Sequence, residues 1–309
     1  MTFTKTVKNE LTTIPLNHNE MLAEFSAFLN LSCEFHIESG IKMIDFNTTN
    51  PTVSKRFLML SKALYQVETE LLTKSQTVFK KKNIVILRLS GQIDKIINEH
   101  DYFGNNIEAI KLITKSDDEK IAFLRGALLV SGSINDPKTA EYHLEIFVSD
   151  QKLAILVQTL INHFDFNARI TKRREGFIVY LKDAETISDF IQLVGAYNAL
   201  FKYEDIRIKR DLNNSINRLI NVELANEKKS LVASNQQIEE IKLIKKYNAL
   251  NNIDSKILEV MELRLKYPDA NLRELTTYFE LEYGKTISRS GLSHRFNKVK
   301  ELANKIKGE

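Results

Sequence analysis

Eight residues near the carboxyl end carry the chain's clearest chemistry: Ser288, Arg289, Ser290, Ser293, His294, Arg295, Asn297 and Lys298. Serine, asparagine, histidine and lysine side chains can hydrogen-bond base edges, and arginine pairs with phosphate. The stretch also holds Leu292, Phe296, Val299, Ala303 and Ile306 at helical period, which predicts a helix capped by Ser288 with one apolar stripe. Ser290, Ser293, His294, Asn297 and Lys298 fall opposite that stripe, and Arg289 and Arg295 flank them, placed for phosphates. This is the chemistry of a helix that enters a major groove.

Such a helix needs a scaffold, and the preceding residues supply one. Asn271 is a good N-cap for a helix through Leu272, Leu275, Tyr278 and Phe279, which Gly284 breaks, leaving Tyr283 to Ile287 as the turn. Ile257, Val260, Met261 and Leu265 predict a third helix ending at Pro268, completing a helix-turn-helix module. Charge is distributed to match. Residues 1–205 hold 24 Lys+Arg against 26 Asp+Glu, whereas residues 206–309 hold 20 against 14. Most of that excess lies in residues 283–309, with 7 basic and 2 acidic residues, so attraction to a polyanion is local.

Other chemistries find no support in the sequence. The lone Cys33 has no partner for a disulfide, and six scattered histidines lack ligand spacing, so no structural metal or other cofactor is expected. Ten glycines form no phosphate-cradling motif, which argues against nucleotide hydrolysis. With no apolar run of about 18 residues and no signal-peptide core at the start, the expected location is cytoplasmic, on the nucleoid. At 309 residues and 43% hydrophobic content the chain supports more than one core.

The first two thirds contain a weak internal repeat. Glu24 to Cys33 (EFSAFLNLSC) and Phe123 to Gly132 (FLRGALLVSG) align at an offset of 99 residues. Each predicts a helix followed by two strands: His36 to Phe46 in the first copy, and Ser133 to Asn135 then Tyr142 to Val148, with an Asp136-Pro137 turn, in the second. Helices at Ser54 to Tyr65 and Asp150 to Phe164 come next, then strands including Ile84 to Leu89 and Phe177 to Leu181. Helices Gln92 to Asn98 and Ala184 to Leu200 close the copies, giving α-β-β-α-β-β-α twice. Ala27 and Gly126 would let the two first helices cross closely. Asp205 to Tyr247, free of glycine and proline, predicts a long helix. Its apolar Leu224, Leu231, Ile238, Ile241 and Ile244 are expected to dock on the carboxyl-terminal module, ahead of a polar connector from Asn248 to Asp254. Arg210, Asn213, Asn217, Arg218, Asn221, Asn226 and Lys229 give it a donor-rich face, which reads either as solvated or as a second DNA surface.

The repeat resembles the LAGLIDADG homing-endonuclease fold, in which two motif helices pack over a saddle of strands. In that family an acidic residue at each motif helix's carboxyl end holds a divalent metal. Here Ser32 and Ser131 take those places, and Glu34 and Glu145 are the nearby carboxylates. With the run INRLINVELANEKKS and then LRELTTYFELEYGKTISRSGLSHRFNKV, the chain resembles the WhiA family over nearly its full length. The fold class that follows is α+β: a degenerate two-repeat LAGLIDADG homing-endonuclease-like domain, then an all-α helix-turn-helix domain. The expected boundaries are 1–110 and 111–205 for the repeats, 206–252 for a helical linker and 253–309 for the helix-turn-helix. The resemblance implies a sequence-specific regulator of cell division and chromosome segregation, and of sporulation in related lineages, with a noncatalytic nuclease-like domain. It also implies double-stranded DNA as partner, with RNA polymerase or a sigma factor as a candidate protein partner, and a helix-turn-helix over Asn271 to Ile306 that is similar to region 4 of sigma factors. Glu280 and Glu282 depart from the family pattern and are expected to weaken phosphate contacts there. The alternatives are a metal-dependent site-specific DNA endonuclease and, less favoured by the scarcity of aromatic residues in the basic helix, an RNA-binding protein.

Overall fold

In the computed structural model, residues 2–75, 83–103, 107–139, 141–247 and 253–308 are described. The chain forms two compact units, Met1–Arg210 and Asp211–Glu309.

The first unit opens with α1 (Phe3–Leu11) and α2 (His18–Ser32), whose N-cap Asn17 accepts from the Glu20 amide. Two strands follow, β1 (Cys33–Glu38) and β2 (Ile41–Thr48). Ser39 and Gly40 both take positive φ between them, the backbone a two-residue hairpin turn requires. Next come α3 (Pro51–Leu64), β3 (Val67–Ser75), β4 (Asn83–Gly91), α4 (Ile93–His100) and α5 (Ile107–Ile113). The second copy runs α6 (Asp117–Ser131), β5 (Gly132–Ile134), β6 (Leu144–Val148), α7 (Gln151–Asn162), β7 (Arg169–Arg173), β8 (Gly176–Leu181) and α8 (Ala184–Leu193). The two sheets have the same antiparallel order, β1-β2-β4-β3 and β5-β6-β8-β7. Helices α2 and α6 are each 15 residues long and begin and end 99 positions apart.

These two helices form the unit's centre. Ala27 is fully buried, and a Cβ on Gly126 would lie 2.7 Å from the Glu24 carbonyl oxygen and 2.8 Å from the Ala27 Cβ, so only glycine permits this approach. Around them one apolar core joins both copies, from Phe25, Phe28, Phe46 and Phe57 to Ile146, Val157, Phe190 and Ile191. Charge is buried here as well. Glu24 is fully buried and accepts from Arg56 at 2.6 and 3.2 Å, while Arg125 Nη1 stands 3.7 Å away. Arg56 also donates to the Thr12 and Ile14 carbonyls, and Arg125 Nε to the Val194 carbonyl. Burial pushes the Glu24 carboxyl up, opposed chiefly by Arg56.

A buried histidine gives this unit a pH dependence. His100 Nε2 lies 2.6 Å from the Tyr65 hydroxyl, its ring meets Phe25 edge-on, and burial pushes its pKa down to about 3. Above roughly pH 6.5 the imidazole is neutral in both the folded and unfolded chain. Between there and pH 3 only the unfolded chain takes the proton, so stability falls with falling pH by about 1.4 kcal/mol per unit. Urea midpoints measured from pH 6.5 to 4.5 should show that slope, and His100→Gln, which does not titrate, should flatten it. An unchanged slope in the variant would assign the acid sensitivity to other groups.

The closing helix of the second copy differs from expectation. Instead of one helix over Ala184–Leu200, α8 ends at Leu193, Gly195 turns the chain at φ +90°, and α9 (Tyr197–Lys246) begins anew. Its first turn is capped from afar by Glu10, whose carboxylate accepts from the Asn198 and Ala199 amides at 2.7 and 2.9 Å. The boundary expected at 205/206 lies inside α9, a single helix of 50 residues. In the second unit the end of α9 is followed by α10 (Ser255–Lys266), α11 (Leu272–Tyr283) and α12 (Arg289–Lys307). Ile241 and Ile244 of α9 pack with Ile257, Met261, Val299 and Ala303, as their period implies. Leu224 and Leu231 do not dock: both are exposed, because the buried stripe of α9 in this unit starts only at Ser234. Of the expected polar connector, residues 248–252 lie outside the described residues.

Candidate nucleic-acid interface

Local rules place α11 and α12. Asn271 accepts from the Arg273 and Glu274 amides while Glu274 accepts from the Asn271 amide, a closed capping box. Gly284 ends α11 in the left-handed conformation, φ +63°, which its missing Cβ makes free of strain. Ser288 then caps α12 by accepting from the Gly291 amide at 3.0 Å. The first half of α12 buries Leu292 and Phe296 against Val260, Leu263, Leu275 and Phe279, and its second half buries Val299 and Ala303. Ile306 is only half-buried.

The opposite face is open. Arg289, Ser290, His294, Asn297 and Lys298 are exposed, and Ser293 is half-buried beside them. The side chains of Arg289, His294 and Asn297 make no intramolecular hydrogen bond among the described residues. The Ser290 hydroxyl lies 3.0 Å from that of Ser288, so the two serines are held at the amino end of the helix. No acidic residue sits in the first turn of α12, whose free amides and partial positive charge favour a phosphate there.

Arg295 is placed differently from its expected flank position. Its guanidinium stacks on the Phe279 ring at 5.3 Å, donates to the Lys256 carbonyl at 3.1 Å and pairs with Glu259 at 3.4 Å. With its side chain 22% exposed, it ties α12 to α10 and α11. A spacing argument cannot see this, because Glu259 lies 36 residues away. Glu282, expected to repel phosphate, is likewise engaged: Lys266 and the Tyr267 hydroxyl both donate to it, at 2.6 and 2.8 Å. Glu280 has no such partner among the described residues and stays exposed.

Arg264 is the residue that sequence reasoning missed. It is 2% exposed, stacks on Phe296, and donates to Gln237 and to the carbonyls of Tyr267, Pro268 and Ala270. No carboxylate is among these partners, and burial pulls its pKa down to about 10. The guanidinium thereby closes the α10–α11 corner that positions the contact helix.

The first unit offers a contrasting surface. Pairing sets Glu34, Asp45, Arg88 and Glu70 in one row across the first sheet, on the side opposite the buried Ile44, Phe46, Leu87 and Leu89. Alternation adds Glu38 and Glu68 to that face. Arg88 is spent on Asp45, donating at 2.9 and 3.0 Å, so the face is acidic and repels phosphate. Ser32 and Ser131 end α2 and α6, and the Ser131 hydroxyl donates back to the Ala127 carbonyl at 3.2 Å. Glu145 is held by His143 at 3.2 Å and Arg173 at 3.5 Å, and Glu34 stands opposite Asp45 in the sheet. Among the described residues, no three His, Cys, Asp or Glu side chains converge as a cation site.

A doubled α-β-β-α-β-β-α unit with two motif helices at its centre, joined to a capped helix-turn-helix, defines a LAGLIDADG-like scaffold fused to a helix-turn-helix domain. Family models agree segment by segment: the WhiA N-terminal LAGLIDADG-like domain matches residues 18–101, the WhiA LAGLIDADG-like domain 120–213 and the WhiA C-terminal HTH domain 216–303. The chain belongs to the WhiA family. It is 39% identical over 99% of its length to a probable cell division protein WhiA of Oceanobacillus iheyensis, covering 98% of that protein. It is 37% identical over its whole length to the protein of the same description from Lactobacillus johnsonii, covering 99% of it. The crystal structure of full-length DUF199/WhiA from Thermatoga maritima shares the fold, with a TM-score of 0.61 and 24% identity over 99% of both chains. Among the described residues no helix is long and apolar enough to cross a membrane.

Proposed function

We propose that this protein is a sequence-specific, double-stranded DNA-binding regulator that acts on the nucleoid in the cytoplasm, with α12 as its reading helix. The observation that carries this reading is the open face of α12, where Arg289, His294 and Asn297 project without internal partners from a helix clamped on its other side by two apolar clusters. Ser290, Ser293, His294 and Asn297 contact base edges, and Arg289 and Lys298 contact phosphates, while Ser288 and Arg295 position the helix. The names of the relatives, probable cell division proteins, support a role in cell division; that this role is exercised through transcription, with chromosome segregation among its targets, is part of the proposal. RNA polymerase or a sigma factor is the protein partner proposed for it.

The nuclease-like unit is noncatalytic in this reading. A divalent ion held between DNA strands must shed hydration water, and carboxylates compensate for that loss where the hydroxyls of Ser32 and Ser131 do not. The test is incubation of the chain with DNA carrying its own binding site, in Mg2+ or Mn2+ with an EDTA control. Binding without metal-dependent strand cleavage is expected. Cuts at a defined position that disappear in Glu34→Ala or Glu145→Ala would establish the endonuclease instead.

A further inference from the structure

Every residue of α9 from Asp211 to Lys229 is exposed, a run of helix that nothing in its own unit covers. At 100° per residue its chemistry sorts into two faces. Asn214, Asn217, Arg218, Asn221 and Lys228 follow one another at helical spacing on one stripe, with Lys229 and one carboxylate, Asp211, on its edge and no carboxylate between its edges. Leu212, Ile216, Leu219 and Ile220 occupy the other stripe, and Glu223 and Glu227 lie on that side. None of Asn214, Asn217, Arg218, Asn221, Lys228 and Lys229 has a side-chain partner among the described residues.

We propose that this amide and cation stripe of α9 is a second DNA-contacting element, laid on the same duplex class that α12 reads; the inference rests on the DNA-binding reading above. Helix stability does not account for the stripe. Asparagine is a poor helix former, because its short amide competes for the backbone, and lysine, glutamate or glutamine would solvate a helix face at lower cost. A B-form duplex, in contrast, uses what the stripe offers. An asparagine amide pairs bidentately with adenine N6 and N7, a lone arginine or lysine neutralises phosphate, and one α-helix fits the width of the major groove. The separation of the cations from Glu223 and Glu227 gives the stripe the sign a phosphate backbone selects. The match to the family's HTH model also begins at Ile216, inside this segment, rather than at α10.

The test uses the full chain and the duplex that it enriches from a randomised duplex library. Asn217→Ala with Asn221→Ala should raise helix propensity, so circular dichroism must show no loss of helix, and any loss of binding then reports lost contacts. Affinity for the enriched duplex should fall roughly ten- to hundred-fold, with a smaller change on random duplex. Arg218→Ala should lower the slope of log affinity against log salt by about one. If these variants bind like the parent while His294→Ala with Asn297→Ala does not, α9 is no DNA element and the α12 reading stands. If the parent enriches no duplex, both readings fall.

Discussion

Replacing Glu24 with alanine is expected to destabilise the first unit by about 3–5 kcal/mol, because it strands two guanidinium groups that are already out of water. Among the described residues Glu24 is the carboxylate in ion-pair contact with Arg56, at 2.6 Å, and with Arg125, at 3.7 Å, and both arginines are almost wholly buried. Burial already pulls the Arg125 pKa down, with Glu24 the largest opposing influence. Urea unfolding followed by far-ultraviolet circular dichroism of the full chain should show the earlier transition. Glu24→Gln should recover little, since an amide can still accept from Arg56 but carries no charge. Replacing Glu24, Arg56 and Arg125 together with methionine should recover a large part, because an apolar cluster needs no counter-charge. A single alanine variant as stable as the parent would mean that the cluster contributes nothing to holding α2, α3 and α6 together.

Much of the architecture was legible because local chemistry decides it. The 99-residue offset of Glu24–Cys33 and Phe123–Gly132, the small residues Ala27 and Gly126, and the Asn271–Glu274 and Ser288 caps are patterns within a few residues. What was hidden depends on partners far along the chain. Nothing near Tyr197 shows that Glu10 caps α9, and nothing near Arg295 shows that Glu259 holds it. Gly195 was visible, but a helical period on both sides of it concealed the break. Leu224 and Leu231 have the period of a buried stripe and yet are exposed, since period reports an apolar face and not what covers it.

The second large effect concerns the contact helix. Ser290→Ala, His294→Ala and Asn297→Ala together remove base-edge partners without touching Leu292, Phe296 or Val299, so the module should stay folded while discrimination is lost. At about 1–3 kcal/mol for each good base contact, specific affinity should fall by two or more powers of ten, toward the nonspecific level. Arg289→Ala with Lys298→Ala should act differently, weakening binding to all sequences alike and lowering the salt slope by about two. Arg295 belongs in neither set, because removing it also removes the contact with Phe279 and the pair with Glu259.

The most direct measurement is therefore a titration of the enriched duplex and of a random duplex with parent and triple variant over a range of salt concentrations, with circular dichroism confirming the fold. The account predicts that the parent separates the two duplexes and that the folded triple variant does not, at an unchanged salt slope. Equal specificity in parent and variant would contradict it, and would move sequence reading away from α12.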